Sequence, residues 1–199
     1  MDWDERFAGE AYLFGREPAA FLVREAPRIP AGSSVLSVAD GEGRNAVHLA
    51  RLGHSVTAFD MSPNAVAKAR TLADEAGVAV DFHVSAIEDW NWSHQFDALV
   101  AIFIQFLGPD ARAEAFRRFA GAIRPGGLLL LHGYAPRQVG YGTGGPPAAE
   151  NMYTEDMLAR AFDGWEVLRS ADYDAEIREG TGHAGLSGLV DFVARKPVG

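Results

Sequence analysis

Val35-Leu36-Ser37-Val38-Ala39-Asp40-Gly41-Glu42-Gly43-Arg44-Asn45-Ala46 reads as a buried strand, a glycine turn and the first turn of a helix, and the rest of the chain falls into register around it. Gly41 can take a positive φ without a Cβ penalty, and Gly43 leaves no side chain between the backbone and a ligand lying across the turn. A helix beginning near Arg44 aims free N–H groups at that ligand. The stretch fits the fingerprint G-x-G-x-x-[GA], and Asp60 follows about 20 residues later, where an acid that holds a ribose belongs. An ionised carboxylate there accepts two hydrogen bonds from a vicinal diol.

The pattern continues outward from this turn. Ala46, Leu49 and Ala50 form an apolar stripe at helical spacing, and Gly53 sits where a left-handed cap belongs. Ser55 to Phe59 reads as a second strand. Ser62 caps the next helix with Pro63 at its first position, Val66, Ala69, Leu72, Ala73 and Ala76 line its buried face, and Gly77 stops it. Val78 to Val84 reads as a third strand, and Phe96 to Phe103 is apolar almost throughout, as a strand covered on both faces should be. Phe116, Phe119, Ala120 and Ile123 mark a helix whose inner face is well defined; Arg124-Pro125-Gly126-Gly127 breaks it before a fifth strand, Leu128 to His132. A short helix over Thr154 to Phe162 precedes two last strands, Trp165 to Tyr173 and Ser187 to Ala194, joined by a glycine-containing loop and paired antiparallel.

The predicted fold is α/β, a Rossmann-like doubly wound sheet of about seven strands, mostly parallel with an antiparallel last strand and helices on both faces. It forms a single domain over residues 1–199. Residues 1–30, rich in Trp3, Phe7, Tyr12, Phe14, Phe21 and Leu22, form an N-terminal helical cap, and residues 134–151 form a glycine-rich loop on the substrate side.

The 27 acidic and 18 basic residues give a net charge of -9, which repels phosphates and anionic lipid; the expected partner is a small molecule, with neither nucleic acid nor membrane. Cysteine is absent, removing disulfides, thiolate nucleophiles and cysteine metal sites, and weighing against trivalent arsenic as an acceptor. His48, His54, His83 and His94 lack metal-ligand spacing, so no metal is expected. No basic, apolar leader opens the chain and no run approaches the ~20 apolar residues of a membrane span, so a cytoplasmic protein, monomer or homodimer, is expected.

The fingerprint alone leaves nicotinamide and S-adenosylmethionine open. Asp40 and Glu42 would repel a pyrophosphate but suit the cationic amino-acid end of S-adenosylmethionine. Neither Lys68 nor Lys196 has a tyrosine four residues before it, so the Tyr-x-x-x-Lys pair of short-chain dehydrogenases is missing.

The chain resembles the small class I S-adenosylmethionine-dependent methyltransferases of the tellurite-resistance type, close to the thiopurine methyltransferases. The resemblance rests on Trp3-Asp4-Glu5-Arg6-Phe7, on Tyr12 with Phe14-Gly15 and Pro18, on Gly41-Glu42-Gly43-Arg44-Asn45 and on Asp60. It continues through Ile102-Phe103 with Phe106, Arg124-Pro125-Gly126-Gly127, Tyr134-Ala135-Pro136 and Thr143-Gly144-Gly145-Pro146. It implies that Asp40, Gly41, Glu42, Gly43, Arg44 and Asn45 cradle the methionine part, Asp60 holds the ribose, and Met61, Ala86 and Ile87 border the adenine. Ile102 and Phe103 would border the methionine. Two positions depart from the pattern: Ser37 stands where an acid is often found in the first strand, and Ala86 where an acid commonly meets the adenine amino group, leaving that contact to backbone or to Glu88.

The implied activity is methyl transfer to a small-molecule acceptor, a chalcogen oxyanion or a thiol. The alternatives are a non-catalytic S-adenosylmethionine-binding module and an NAD-dependent reductase. Methyl transfer from a sulfonium mainly needs alignment and desolvation. Candidate substrate-side groups are Tyr12, Phe14, Gln105, His132, Tyr134, Tyr141 and His183; of these His132, Tyr134, Tyr12 and His183 are the catalytic candidates.

Overall fold

Strand side chains alternate faces, and the alternating apolar residues of the central strands meet two separate helical layers. The computed structural model describes residues 2–180 and 182–199, with the backbone alone at His183. Its strands are β1 (Ser34–Val38), β2 (Ser55–Asp60), β3 (Asp81–Val84), β4 (Phe96–Ile102), β5 (Ile123–Tyr134), β6 (Glu166–Glu179) and β7 (His183–Arg195). Its helices are α1 (Trp3–Phe7), α2 (Ala20–Glu25), α3 (Arg44–Arg51), α4 (Pro63–Ala76), α5 (Pro109–Ala122), α6 (Gln138–Tyr141) and α7 (Glu155–Ala161). Leu36, Leu99, Leu129 and Leu131 pack with Phe116 and Phe119 of α5. Val35, Val100, Leu128 and Leu130 pack on the opposite face with Leu49 of α3 and Val66 and Leu72 of α4.

The seven strands form one sheet in the order β3-β2-β1-β4-β5-β7-β6. β1 pairs in parallel with both β2 and β4, and β7 is antiparallel to both β5 and β6. The expected Rossmann-like sheet with an antiparallel last strand is therefore present. The chain leaves β1 toward one edge and returns at β4 toward the other, which opens a crevice at the carboxyl ends of these two strands.

Local signals behave as their chemistry requires. The Ser62 hydroxyl accepts from the Ala65 N–H at 3.0 Å, Pro63 opens α4, and Gly77 closes it with a φ of +67°. Among the described residues no helix is long and apolar enough to cross a membrane.

Several boundaries differ from the sequence reading. β5 spans Ile123–Tyr134 rather than Leu128 to His132, so Ile123 opens a strand instead of closing a helical face, held there by pairing with Phe96 of β4. β3 begins at Asp81 rather than Val78, because the Val78 N–H bonds the Ala73 carbonyl at 3.1 Å and extends the end of α4. β6 and β7 run on to a tight turn, with Glu179 paired to His183, so the backbone of His183 begins a strand instead of lying in an open loop. Polar residues along this stretch, among them Asp172 and Asp174 held by Arg137, hide the strand from hydrophobic patterning. Residues 134–151 contain α6 and a 3-10 turn at Ala149–Asn151. Buried Gln138 clasps this segment to β7, accepting from the Gly188 N–H at 2.9 Å and donating to the Gly144 carbonyl at 3.1 Å.

Gly43 combines a φ of +91° with close contact to α4, since a Cβ there would lie 2.7 Å from the Ala69 Cβ. Gly43→Ala is expected to lower unfolding free energy by about 2–4 kcal/mol, from left-handed strain plus overpacking, as read from urea denaturation. A loss below about 0.5 kcal/mol, the range of neutral surface changes, would contradict this packing.

Candidate functional site

A cavity of about 310 Å³ opens at the carboxyl ends of β1, β2 and β4. Its floor is the turn between β1 and α3. The backbone there enters the left-handed region at Ala39 (φ +47°), Gly41 (+62°) and Gly43 (+91°). Ala39 lines the cavity, and such strain in a non-glycine residue gathers at functional sites.

The turn positions Asp40. The Ser37 hydroxyl donates to Asp40 Oδ1 at 2.6 Å, so the serine in the strand steers the neighbouring carboxylate. Asp40 Oδ2 is buried without a hydrogen-bond partner, and Asp40 lines the cavity. Burial pushes the Asp40 carboxyl up to about 7; the Ser37 bond opposes the shift, and the charge of Asp60 adds to it. Asp60 is fixed by backbone donors, with Oδ2 accepting from the Gly41 N–H and Oδ1 from the Ser62 N–H, both at 2.9 Å. Burial raises the Asp60 pKa, opposed by these amides. Two oxygens with about four lone-pair sites still leave acceptor capacity toward the cavity.

Of the residues that the sequence assigns to a cofactor, Asp40, Gly41, Arg44, Asn45, Asp60, Met61, Ala86, Ile87, Ile102 and Phe103 all line this cavity, with Glu88 beside Ala86. Glu42 and Gly43 do not. Glu42 is buried facing the cap, where Oε2 accepts from the Leu13 N–H and Oε1 from Lys68 Nζ, both at 2.8 Å. Gly43 is spent on the approach to α4. Phe103 reaches the cavity through a left-handed conformation, φ +56°, with its N–H bonded to the His132 carbonyl at 2.9 Å.

The roof is aromatic. Trp3, Phe7, Phe14 and Phe106 line the cavity, and Trp3 lies 5.8, 6.4 and 6.3 Å from the other three rings, in that order. Asp4 pins α1 in place by accepting from the Asn64 N–H at 3.0 Å. Trp3, Phe7 and Phe106 carry no site assignment from the sequence beyond the cap and the family pattern. The i, i+4 spacing of Trp3 and Phe7 was the available signal, because it sets both rings on one helical face.

The catalytic candidates are placed differently. Tyr12 turns away from the cavity and donates to the Lys68 carbonyl at 3.2 Å, because its ring packs over α4. His132 is buried behind Phe103, stacked on Phe21 at 4.7 Å, with Nδ1 2.7 Å from Asp191 Oδ1. Arg24 and Arg169 also bind that carboxylate, which ties the cap to β6 and β7. Tyr134 is buried outside the lining, and burial followed by the Glu179 charge holds its hydroxyl far above the ordinary value, protonated. Gln105 closes on the Tyr134 backbone at 2.6 and 2.7 Å, and Tyr141 donates to Asp174 at 3.0 Å. The His183 side chain lies outside the described residues. The glycine-rich loop packs on the β6–β7 hairpin and contributes no residue to the cavity lining. Among the described residues no cluster of metal-ligating side chains occurs.

Residues 35–127 match the family model of the methyltransferase domain. The chain is 39% identical over 104 residues to the ubiquinone biosynthesis O-methyltransferase of Xanthomonas axonopodis pv. citri (strain 306), a match covering 51% of this chain and 43% of that protein. The match thus spans less than half the length of that curated relative. A structure solved for the conversion of a disulfide bond into a thioacetal group during echinomycin biosynthesis superposes with a TM-score of 0.79 at 22% identity, covering 98% of this chain and 91% of the other. TehB from Haemophilus influenzae superposes at 0.73 and 19% identity, covering 98% of this chain and 65% of TehB. Together these show a likeness to a methyltransferase domain over residues 35–127 and a Rossmann-like sheet shared with the solved structures.

Asp40 sets a pH response of the folded chain. Its carboxyl keeps a proton up to about 7 when folded but releases it near 3.8 when unfolded, so between those values the folded state binds more protons and stability falls as pH rises. Asp40→Asn is therefore expected to match the wild type near pH 4 and to exceed it by at least about 1 kcal/mol at pH 8, in urea melts at both pH values. The same difference at both pH values would contradict a buried, unpaired carboxylate.

Proposed function

We propose that this chain is an S-adenosylmethionine-dependent methyltransferase whose acceptor is a small, uncharged molecule with a soft nucleophilic atom, a thiol in preference to a chalcogen oxyanion. The observation that carries the reading is the buried Asp40 Oδ2, a carboxylate oxygen without a partner at the edge of a glycine cradle. A buried unpaired carboxylate is costly, and an ammonium group is the partner that relieves the cost. The residues present fit the cofactor in other respects. Asp60, oriented by two amides, would hold a ribose diol, and the first N–H groups of α3 would face a carboxylate. Met61, Ala86 and Ile87 offer an apolar slot for a base, with Glu88 at its edge. Ile102 and Phe103 would border the methionine chain. Glu42 and Gly43 act on the shape of the turn instead of on the ligand.

S-adenosylmethionine, when bound, supplies a methyl group on a cationic sulfur. The chain's own contribution is alignment and exclusion of water: the rings of Trp3, Phe7, Phe14 and Phe106 close the roof, and their negative faces suit a positive centre. No described side chain on the lining is placed as a strong base, so an uncharged thiol acceptor would release its proton to solvent as its sulfur takes the methyl group. Among the described residues the lining holds Asp40, Asp60 and Glu88 against one cation, Arg44, a balance that repels an oxyanion. We further propose that the protein acts in the cytoplasm, as a monomer or homodimer, as one domain over residues 1–199, without nucleic acid or membrane partners.

Asp60→Ala is expected to weaken S-adenosylmethionine binding by about 10–100-fold, the loss of two charge-assisted hydrogen bonds. Wild-type affinity in that variant would refute the ribose assignment. Affinity should also fall as pH drops below 7, since a protonated Asp40 no longer pairs with an ammonium group; a flat pH profile would refute that pairing. A panel of neutral thiols, phenols, selenite and tellurite, assayed for S-adenosylhomocysteine release, should respond first to the thiols. Cofactor binding without release from any acceptor would instead make the chain a binding module.

A further inference from the structure

Arg44 is the one cation among the described residues that line the cavity. It is already engaged: Nη2 lies 2.6 Å from Glu179 Oε2, Nη1 donates to the Glu17 carbonyl at 3.3 Å, and the two paired side chains are 8% and 11% exposed. Such a desolvated pair adds little net stability, so its presence beside a ligand cavity points to selection among ligands. Glu179 comes from the end of β6, a region of the chain remote from the cradle. Its position is held by the hairpin tip. The Gly182 N–H donates to the Leu13 carbonyl at 3.1 Å, and a Cβ on Gly180 would lie 2.3 Å from that same oxygen, so the tip is seated against the cap by two close backbone approaches.

Building on the methyltransferase reading, we propose that Glu179 is a specificity-determining residue that neutralises Arg44 and thereby keeps carboxylate- or oxyanion-bearing acceptors out of the site. Without Glu179, Arg44 would present a fork of donors suited to a carboxylate, and the site would accept anions. With Glu179 in place, an anionic acceptor would have to displace a buried carboxylate already held at 2.6 Å, while an uncharged acceptor under the aromatic roof displaces no such pair.

The test is calorimetric binding of two methylated product analogues to the protein loaded with S-adenosylhomocysteine: neutral 4-(methylthio)toluene and anionic 4-(methylthio)benzoate. Both lack a free thiol, so only the carboxylate differs in charge. The wild type is expected to bind the neutral analogue at least about tenfold more tightly, the scale of one interaction of about 1.4 kcal/mol. Glu179→Gln keeps the shape and an acceptor for Arg44 while removing the charge; it should bind the benzoate at least about tenfold more tightly than the wild type does. Glu179→Asp keeps the charge and should retain the wild-type preference. A benzoate affinity unmoved by Glu179→Gln, or moved as far by Glu179→Asp, would overturn the proposal. Absence of binding by both analogues to the loaded wild type would overturn it too, while the S-adenosylhomocysteine titration that precedes it judges the cofactor reading separately.

Discussion

The backbone between β1 and α3 enters the left-handed region three times in five residues, at positions 39, 41 and 43, and the site hangs on that path. Ala39 accepts the strain, Gly41 offers its N–H to Asp60, and Gly43 lets α3 close on Ala69. Only with this path does Asp40 come to rest beside Ser37, with one oxygen bonded and the other aimed at no partner. Backbone strain and a buried carboxyl with one oxygen unbonded both oppose folding, and their coincidence at the mouth of a strand crossover is how a binding site differs from ordinary core.

The same turn anchors the cap. Glu42 accepts from Leu13, Asn45 accepts from Ala19 at 3.0 Å, and Arg44 reaches both Glu17 and Glu179. The aromatic roof is thus tied to the floor by the residues that form the floor. Three acids divide the work: Asp40 faces the cavity, Asp60 locks the turn and faces the cavity, and Glu42 joins the turn to Leu13 of the cap and Lys68 of α4.

The sheet was legible because its signals are local: apolar alternation, Ser62-Pro63 at a helix start, glycines at helix ends. The cavity-lining residues of the turn were legible for a related reason, since a glycine turn and an acid one strand later have a fixed relation in this topology. Long-range pairing was harder to read. Nothing near Tyr12 shows that its hydroxyl bonds α4, nothing near His132 reveals Asp191 fifty-nine positions on, and the polar face of β6 conceals a strand that continues to Glu179. Ala39 escaped notice because a left-handed alanine looks like any alanine in a sequence. Ser37, the departure from the family pattern, became intelligible only when its hydroxyl was found on Asp40.

The central claim, that this cradle holds an adenosyl sulfonium and not a dinucleotide, is tested most directly by calorimetric titration of the wild-type chain with S-adenosylhomocysteine and with NADH. The account predicts one S-adenosylhomocysteine per chain with a dissociation constant on the order of micromolar, about -8 kcal/mol, and no binding of NADH. Binding of NADH without S-adenosylhomocysteine would contradict it.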